Sequence, residues 1–239
     1  MKKYELKLDR RDFLKKSGMI GMTTIAPGVF LQDLAHGRAL DEPASSKKRC
    51  GMLIDTNQCT DGCDACVSAC IDEHGFEDFG RPTTDTQWIR KLKLTHDTSG
   101  ETINVPMMCQ HCENPPCVDV CPTGASFIRA DGIVLVNKHT CIGCRYCMMS
   151  CPYKARSFVH ENLENQLPHA PRGKGCVESC TLCVHKIDSG ENTTACSEAC
   201  SKDGHQAILF GDLKDPDSEI SKQLKKYETK EVRSDLGLN

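Results

Sequence analysis

Sixteen of the eighteen cysteines in this 239-residue chain fall into four clusters, and few chemistries use thiols at such short, repeated spacing. The clusters are Cys59-x3-Cys63-x2-Cys66-x3-Cys70, Cys109-x2-Cys112-x4-Cys117-x3-Cys121, Cys141-x2-Cys144-x2-Cys147-x3-Cys151 and Cys180-x2-Cys183-x12-Cys196-x3-Cys200. Pro122 and Pro152 directly follow the last cysteine of the two central ones. The third cluster has the C-x2-C-x2-C-x3-C-P spacing in which three thiolates hold one [4Fe–4S] cube and the fourth reaches across to another. A run of that kind needs a partner run, and the chain supplies one. The sixteen cysteines are therefore the candidate ligands of iron in four [4Fe–4S] clusters.

Cysteine this dense has three explanations: a disulfide scaffold, structural zinc or iron–sulfur clusters. Disulfide scaffolds belong mostly to small secreted domains, and zinc ribbons use paired C-x2-C knuckles separated by a long spacer. Neither predicts consecutive motifs ending in Cys-Pro. Aromatic residues are only 5% of the chain and the mean hydropathy is −0.43, so side-chain packing is thin and metal–thiolate bonds are expected to carry part of the folding energy. The formal net charge is −3, with the first 39 residues disproportionately basic. Each ligated cube adds about −2 in its oxidised state. The loaded body is thus strongly anionic, which argues against nucleic acid or an anionic membrane surface as partner.

Residues 1–39 read as an address rather than as fold. Arg10-Arg11-Asp12-Phe13-Leu14-Lys15, the apolar stretch from Gly18 to Leu31 and the small residues near Ala35–Ala39 resemble a twin-arginine export signal. Clusters are assembled before export, so a protein loaded with them must cross folded, and the twin-arginine route carries folded cargo. No other stretch approaches the roughly 18–20 apolar residues of a membrane span, and the expected location is the extracytoplasmic (periplasmic) face of the cytoplasmic membrane.

If each motif lends its fourth cysteine to a partner, the simplest arrangement pairs the inner two motifs and the outer two. Cys109, Cys112 and Cys117 then join Cys151; Cys141, Cys144 and Cys147 join Cys121. Cys59, Cys63 and Cys66 join Cys200; Cys180, Cys183 and Cys196 join Cys70. The expected fold class is α+β, tandem or nested bacterial-type 2[4Fe–4S] ferredoxin domains with loop insertions. Its divisions are 1–39 (signal), 40–108 (first motif and insertion, one outer half), 109–152 (inner ferredoxin domain), 153–210 (insertion and fourth motif, the other outer half) and 211–239 (docking tail). Strands are predicted at Met52–Asp55, Trp88–Leu94, Gly132–Asn137 after an Asp131-Gly132 turn, and Ala207–Phe210, with short helices over Cys66–His74 and Tyr146–Cys151. Insertions are predicted at 71–107 and 153–175. Cys50 and Cys176 are left over as non-ligands, although Cys176 precedes the fourth motif by a spacing that lets it stand in for Cys180. His111 and His185 are read as surface or hydrogen-bonding residues rather than ligands, since thiols are in surplus.

The run Cys109-Gln110-His111-Cys112-Glu113-Asn114-Pro115-Pro116-Cys117, with Cys121-Pro122-Thr123-Gly124-Ala125, Cys141-Ile142-Gly143-Cys144-Arg145-Tyr146-Cys147 and Cys180-Thr181-Leu182-Cys183, resembles the four-cluster iron–sulfur subunits of membrane-associated oxidoreductases. These include the NrfC-, DmsB- and PsrB-like proteins. The stretch Cys144–Met149 with Lys154–Phe158 is most similar to the DsrO subunits of the DsrMKJOP complex of sulfate reduction. The resemblance spans about residues 50–225. It implies a non-catalytic electron-transfer subunit working with an NrfD-type quinone-reactive membrane subunit and with cytochrome c or other redox subunits. An iron–sulfur subunit of a periplasmic molybdopterin or nitrite reductase is the alternative. The extra residue between Cys59 and Cys63, and Ile71 and Ser201 where the inner motifs carry proline, are departures on the outer motifs. Arg145, beside Cys144, is the residue expected to raise the potential of its cube.

Overall fold

The chain's computed structural model describes residues 43–164 and 166–238, and the segment 1–39 read as an export signal lies outside them. Short strands and helices are strung between the cysteine motifs. Strand β1 (Cys50–Ile54) pairs antiparallel with β8 (Ile208–Asp212), Cys50 opposite Asp212 and Ile54 opposite Ile208. That pairing brings the segment before the first motif against the segment after the fourth. The hairpin β2 (Ile89–Thr95) and β3 (Thr102–Met108) projects between the first and second motifs. Strands β4 (Ser126–Ile128) and β5 (Val134–Val136) pair between the inner motifs, and β6 (Arg156–Phe158) pairs with β7 (Val177–Ser179) after them. Among the described residues the four sheets are each two-stranded and antiparallel.

The helices are as short as the strands. They are α1 (Ala65–His74), α2 (Pro116–Asp119), α3 (Tyr146–Ser150), α4 (Val184–Asp188), α5 (Ala195–Lys202) and α6 (Glu219–Lys226). Gly75 ends α1 at φ 62°, which glycine adopts without a Cβ penalty, and the Phe76 N–H closes back on the Ile71 carbonyl at 3.1 Å, a helix stop of the Schellman type. Thr194 caps α5 and Ser218 caps α6, each side-chain oxygen accepting from the N–H three residues on.

Expected and observed elements agree within a few residues for β1, β2, β5, β8, α1 and α3. The Asp131-Gly132 turn has the predicted role: Gly132 lies at φ 83°. A Cβ there would meet Arg49 Nη1 at 1.7 Å, because Arg49 donates to the carbonyls of Gly132 (3.2 Å) and His111 (3.0 Å). Strands β3, β4, β6 and β7 were not predicted. Each owes its state to a partner strand rather than to a local pattern. Strand β8 runs through the expected division between residues 210 and 211, so the tail begins inside a sheet. The tail folds back on the body: the Tyr153 hydroxyl donates to the Val232 carbonyl at 3.1 Å, and the Asn114 N–H to the Leu238 carbonyl at 3.2 Å.

Thiols occupy the interior positions that aliphatic side chains fill elsewhere. Cys66, Cys70, Cys180, Cys196 and Cys200 are buried with Trp88, Ile89, Met108, Ala207 and Ile208. Cys112 and Cys151 pack with Tyr153 and Ala155, and Cys117 and Cys147 with Val134 and Val177. One ion pair is fully enclosed. Glu178 is 0% exposed, takes Arg172 Nε on both oxygens at 3.1 Å and accepts from Trp88 Nε1 at 3.2 Å. Arg172 also donates to the Gly75 carbonyl and the Thr86 hydroxyl, tying both insertions to β7. Among the described residues no helix is long and apolar enough to cross a membrane.

Candidate cluster-binding site

Two hollows, each with about 310 Å³ of non-atom space partly open to solvent, are walled by inner-motif thiols. Cys109, Cys112, Cys117 and Cys151 line one; Cys121, Cys141, Cys144 and Cys147 line the other. These are the two sets expected from the spacing, including the exchange of the fourth cysteine. The chain reverses tightly at the motifs to achieve this, with His111, Arg145, Leu182 and Cys183 at positive φ. No disulfide joins any of the eighteen cysteines. A four-thiol wall around a hollow is the donor set a [4Fe–4S] cube takes, and the residues fit that group.

The outer thiols are drawn together by long-range packing, with α1 lying against α5. Cys66 has Cys196, Cys59, Cys200 and Cys63 as electrostatic neighbours. Cys70 has Cys183 and Cys196, and Cys180 has Cys70 and Cys196. Burial is the first cause of the elevated pKa of these thiols and mutual repulsion adds to it, taking Cys66 to about 12. Each shift disfavours bare thiolate, which a cationic iron core would favour. Cys176 faces elsewhere. Its Sγ donates to the Lys138 carbonyl at 3.3 Å and its electrostatic neighbours are Cys141, Lys138 and Glu178. It is therefore not grouped with Cys183 and Cys196, whereas Cys180 is. Cys50 lies on β1, its thiol pushed up to about 11 by burial, Asp131 and Asp212.

Electrostatic neighbour relations between groups put the four in order. Cys66 neighbours Cys196 of the second group, Cys180 neighbours Cys109 of the third, and Cys117 neighbours Cys147 of the fourth. The sequence is 59/63/66/200, then 70/180/183/196, then 109/112/117/151, then 121/141/144/147. The two middle groups are largely buried, and the most exposed cysteine of the eighteen, Cys144, belongs to an end group.

Donors converge on the sulfurs. Backbone N–H groups of Ser126, Val177, Leu182 and Ala207 point at Cys121, Cys141, Cys180 and Cys200 at 3.2–3.5 Å. Burial opposes ionisation of Cys121, yet the Ser126 N–H, the Thr123 hydroxyl and adjacent backbone N–H groups outweigh it and hold this thiol below its ordinary value. Such hydrogen bonds are one of the levers that set cluster potential.

The histidines behave as hydrogen-bonding residues. His111 is buried and held neutral, its pKa lowered to about 3 by burial and by Arg49 and Arg156, and its Nδ1 accepts the Val134 N–H at 3.0 Å. His185 Nε2 meets Glu73 Oε1 at 2.7 Å, and His169 Nε2 donates to the Glu73 carbonyl at 2.8 Å. The arginine that the structure places against a sulfur is one that sequence reasoning did not single out. Arg145 is exposed and lies over the Phe158 ring at 3.7 Å. Arg156 is 6% exposed and donates to Cys117 Sγ at 3.0 Å. The available signal was an arginine flanked by Ala155, Ser157 and Phe158, a small and apolar stretch five residues beyond Cys151.

Comparison with known proteins agrees with this chemistry. Residues 101–212 and residues 58–125 each match a 4Fe-4S dicluster domain. The chain is 39% identical to the Hdr-like menaquinol oxidoreductase iron-sulfur subunit 1 of Archaeoglobus fulgidus, over 96% of this chain and 95% of that one. It is 35% identical to a tetrathionate reductase subunit of Salmonella typhimurium, over 91% of this chain and 79% of that one. With a polysulfide reductase subunit of Wolinella succinogenes the identity is 37%, over 80% and 90%. Four-thiol hollows, matched dicluster domains and full-length relatives lead to one conclusion: the chain belongs to the ferredoxin-type iron–sulfur subunits of membrane-associated oxidoreductases.

Proposed function

We propose that this chain is an exported electron-transfer subunit with four [4Fe–4S] clusters, relaying electrons between an NrfD-type quinone-reactive membrane subunit and a redox partner such as cytochrome c. Cys59, Cys63, Cys66 and Cys200, then Cys70, Cys180, Cys183 and Cys196, hold the outer two. Cys109, Cys112, Cys117 and Cys151, then Cys121, Cys141, Cys144 and Cys147, hold the inner two. Each cluster, when bound, takes up and gives up one electron. The protein's part is to hold the sulfurs in a row, keep water from the middle groups and aim N–H donors at the thiolates.

The single observation carrying this reading is the linear order of the four sulfur groups, which leaves an exposed thiol, Cys144, at one end. The nested ferredoxin architecture is supported by the β1–β8 pairing. The twin-arginine pattern at Arg10-Arg11 supports export. The relative named for a menaquinol oxidoreductase supports exchange of electrons with a quinone, and a role in dissimilatory sulfur or sulfate metabolism, as a DsrO-type subunit, rests on the resemblance of Cys144–Met149 and Lys154–Phe158. The relatives named for tetrathionate and polysulfide reductases favour the second reading, an iron–sulfur subunit of a terminal reductase, which would be a periplasmic molybdopterin or nitrite reductase.

Anaerobic isolation from the extracytoplasmic membrane fraction tests the proposal. About sixteen iron and sixteen sulfide per chain are expected, and Cys180→Ser should lose about four iron while Cys176→Ala retains them all. Zinc without sulfide, or the reverse order of the two variants, would overturn the ligand assignment. Recovery from the cytoplasm alone would overturn export, and the co-isolated subunits separate the two complexes.

A further inference from the structure

We propose that Arg156 is a cation shared by the two inner cluster sites, setting their reduction potentials together. The inference rests on the proposed cluster-bearing function and deepens it. Arg156 is the charged side chain common to the walls of both inner hollows. Nη2 lies 3.0 Å from Cys117 Sγ of one site, and the Cys147 thiol of the other is an electrostatic neighbour of the guanidinium.

Strand geometry explains the placement. On the β6–β7 ladder Arg156 stands opposite Ser179 and Ser157 opposite Glu178. Successive side chains alternate between faces, so the ladder sends Arg156 toward the sulfurs while Glu178 goes to Arg172 and Trp88. Arg156 consequently makes no ion pair with a carboxylate among the described residues. Its Nε and Nη1 are buried without a hydrogen-bond partner. Buried N–H donors require acceptors, and the acceptor class both hollows are built to contain is cluster sulfur.

The electrostatic consequence follows directly. Adding one electron to either inner site adds one negative charge, and a fixed guanidinium between the sites stabilises that state in both. Guanidinium stays protonated throughout the accessible range, so no proton accompanies the electron and the effect is independent of pH. The charge acts on two sites because of where it sits, and it leaves the outer pair alone.

The test is an anaerobic redox titration of the holoprotein followed by low-temperature paramagnetic resonance, with dithionite supplying the electrons. In Arg156→Gln two of the four midpoints should move together to more negative potential, the other two staying in place, with iron and sulfide at wild-type content. Arg156→Lys keeps the charge but loses the fork, and the same two midpoints should move by less. If Gln lowers the iron content, Arg156→Met, which also removes the charge, decides in its place, and unchanged midpoints in loaded Arg156→Met overturn the proposal. Four unchanged midpoints in fully loaded Arg156→Gln would also overturn it while leaving the relay function standing. A shift confined to one midpoint would overturn the sharing. A wild-type protein lacking iron and sulfide would remove the underlying function, and this inference with it.

Discussion

The two inner sulfur groups draw all their thiols from residues 109–151, whereas the outer two join residues 59–70 to residues 180–200. The inner pair is thus closed by short loops around the β4–β5 hairpin. The outer pair requires the chain to return across more than a hundred residues, and that closure carries an entropic cost growing with loop length. Long-range elements offset it: the β1–β8 ladder, α1 on α5, and the Arg172–Glu178–Trp88 knot. The inner pair also has a buried cation in contact with sulfur. The outer pair has instead His74, its Nδ1 3.8 Å from Cys70 Sγ, with Lys91 donating to the backbone carbonyls of Thr60 and Cys63. The same four-thiol unit is therefore assembled locally in one region and by tertiary packing in the other.

The largest effect expected from this contrast comes from Arg172→Ala. It leaves the Glu178 carboxylate buried with its charge partner gone, a loss of about 3–5 kcal/mol for an enclosed pair. Heating the loaded protein should then release roughly half of its iron in an early step, while the signals of the inner pair persist. Loss of all iron in one step would show that the two regions do not differ in how they are held.

A smaller effect is expected at His74, beneath the outer thiols. Its pKa is brought down to about 4, first by burial, whereas an unfolded histidine titrates near 6.5. Between those values the unfolded chain binds more protons than the folded one, so stability is full above about pH 6.5 and declines as pH falls toward 4. The integrated loss is about 3 kcal/mol. Denaturation midpoints measured from pH 7 to pH 5 should fall less steeply in His74→Gln than in the wild type. Parallel slopes would show that this ring's neutrality does not govern the acid limb.

The same contrast decides what was legible in the sequence. Inner-motif spacing is local, so Cys109 to Cys151 sort into two sets on spacing alone. The outer sets followed from the same exchange rule, but the sequence has no signal for the β1–β8 ladder or the Arg172 knot that make them possible. Strands β3, β4, β6 and β7 went unpredicted because three-residue strands lack a readable period, and β3 carries Pro106, which demotes a strand reading. Its place in a two-stranded hairpin tolerates the missing N–H. Arg145 was singled out because it adjoins Cys144 in the chain. Adjacency in the chain does not decide which cation meets sulfur: Arg145, at φ 64°, helps to line the Cys144 hollow and stacks on Phe158, while Arg156 donates to Cys117 Sγ.

Arg145→Ala is the mildest of these tests and sharpens the comparison most. Its guanidinium is solvent-exposed and stacks on Phe158 at 3.7 Å, a contact worth about 0.5–1 kcal/mol at an exposed site. Water screens its charge from the sulfurs, while the enclosed Arg156 charge is screened far less. The same redox titration should therefore show at most one midpoint displaced in Arg145→Ala, and by less than either midpoint moved by Arg156→Gln. If the exposed arginine shifts its midpoint as far as the buried one, burial does not give a cation its hold on the inner pair. The inner–outer difference would then have to come from hydrogen bonds to sulfur alone.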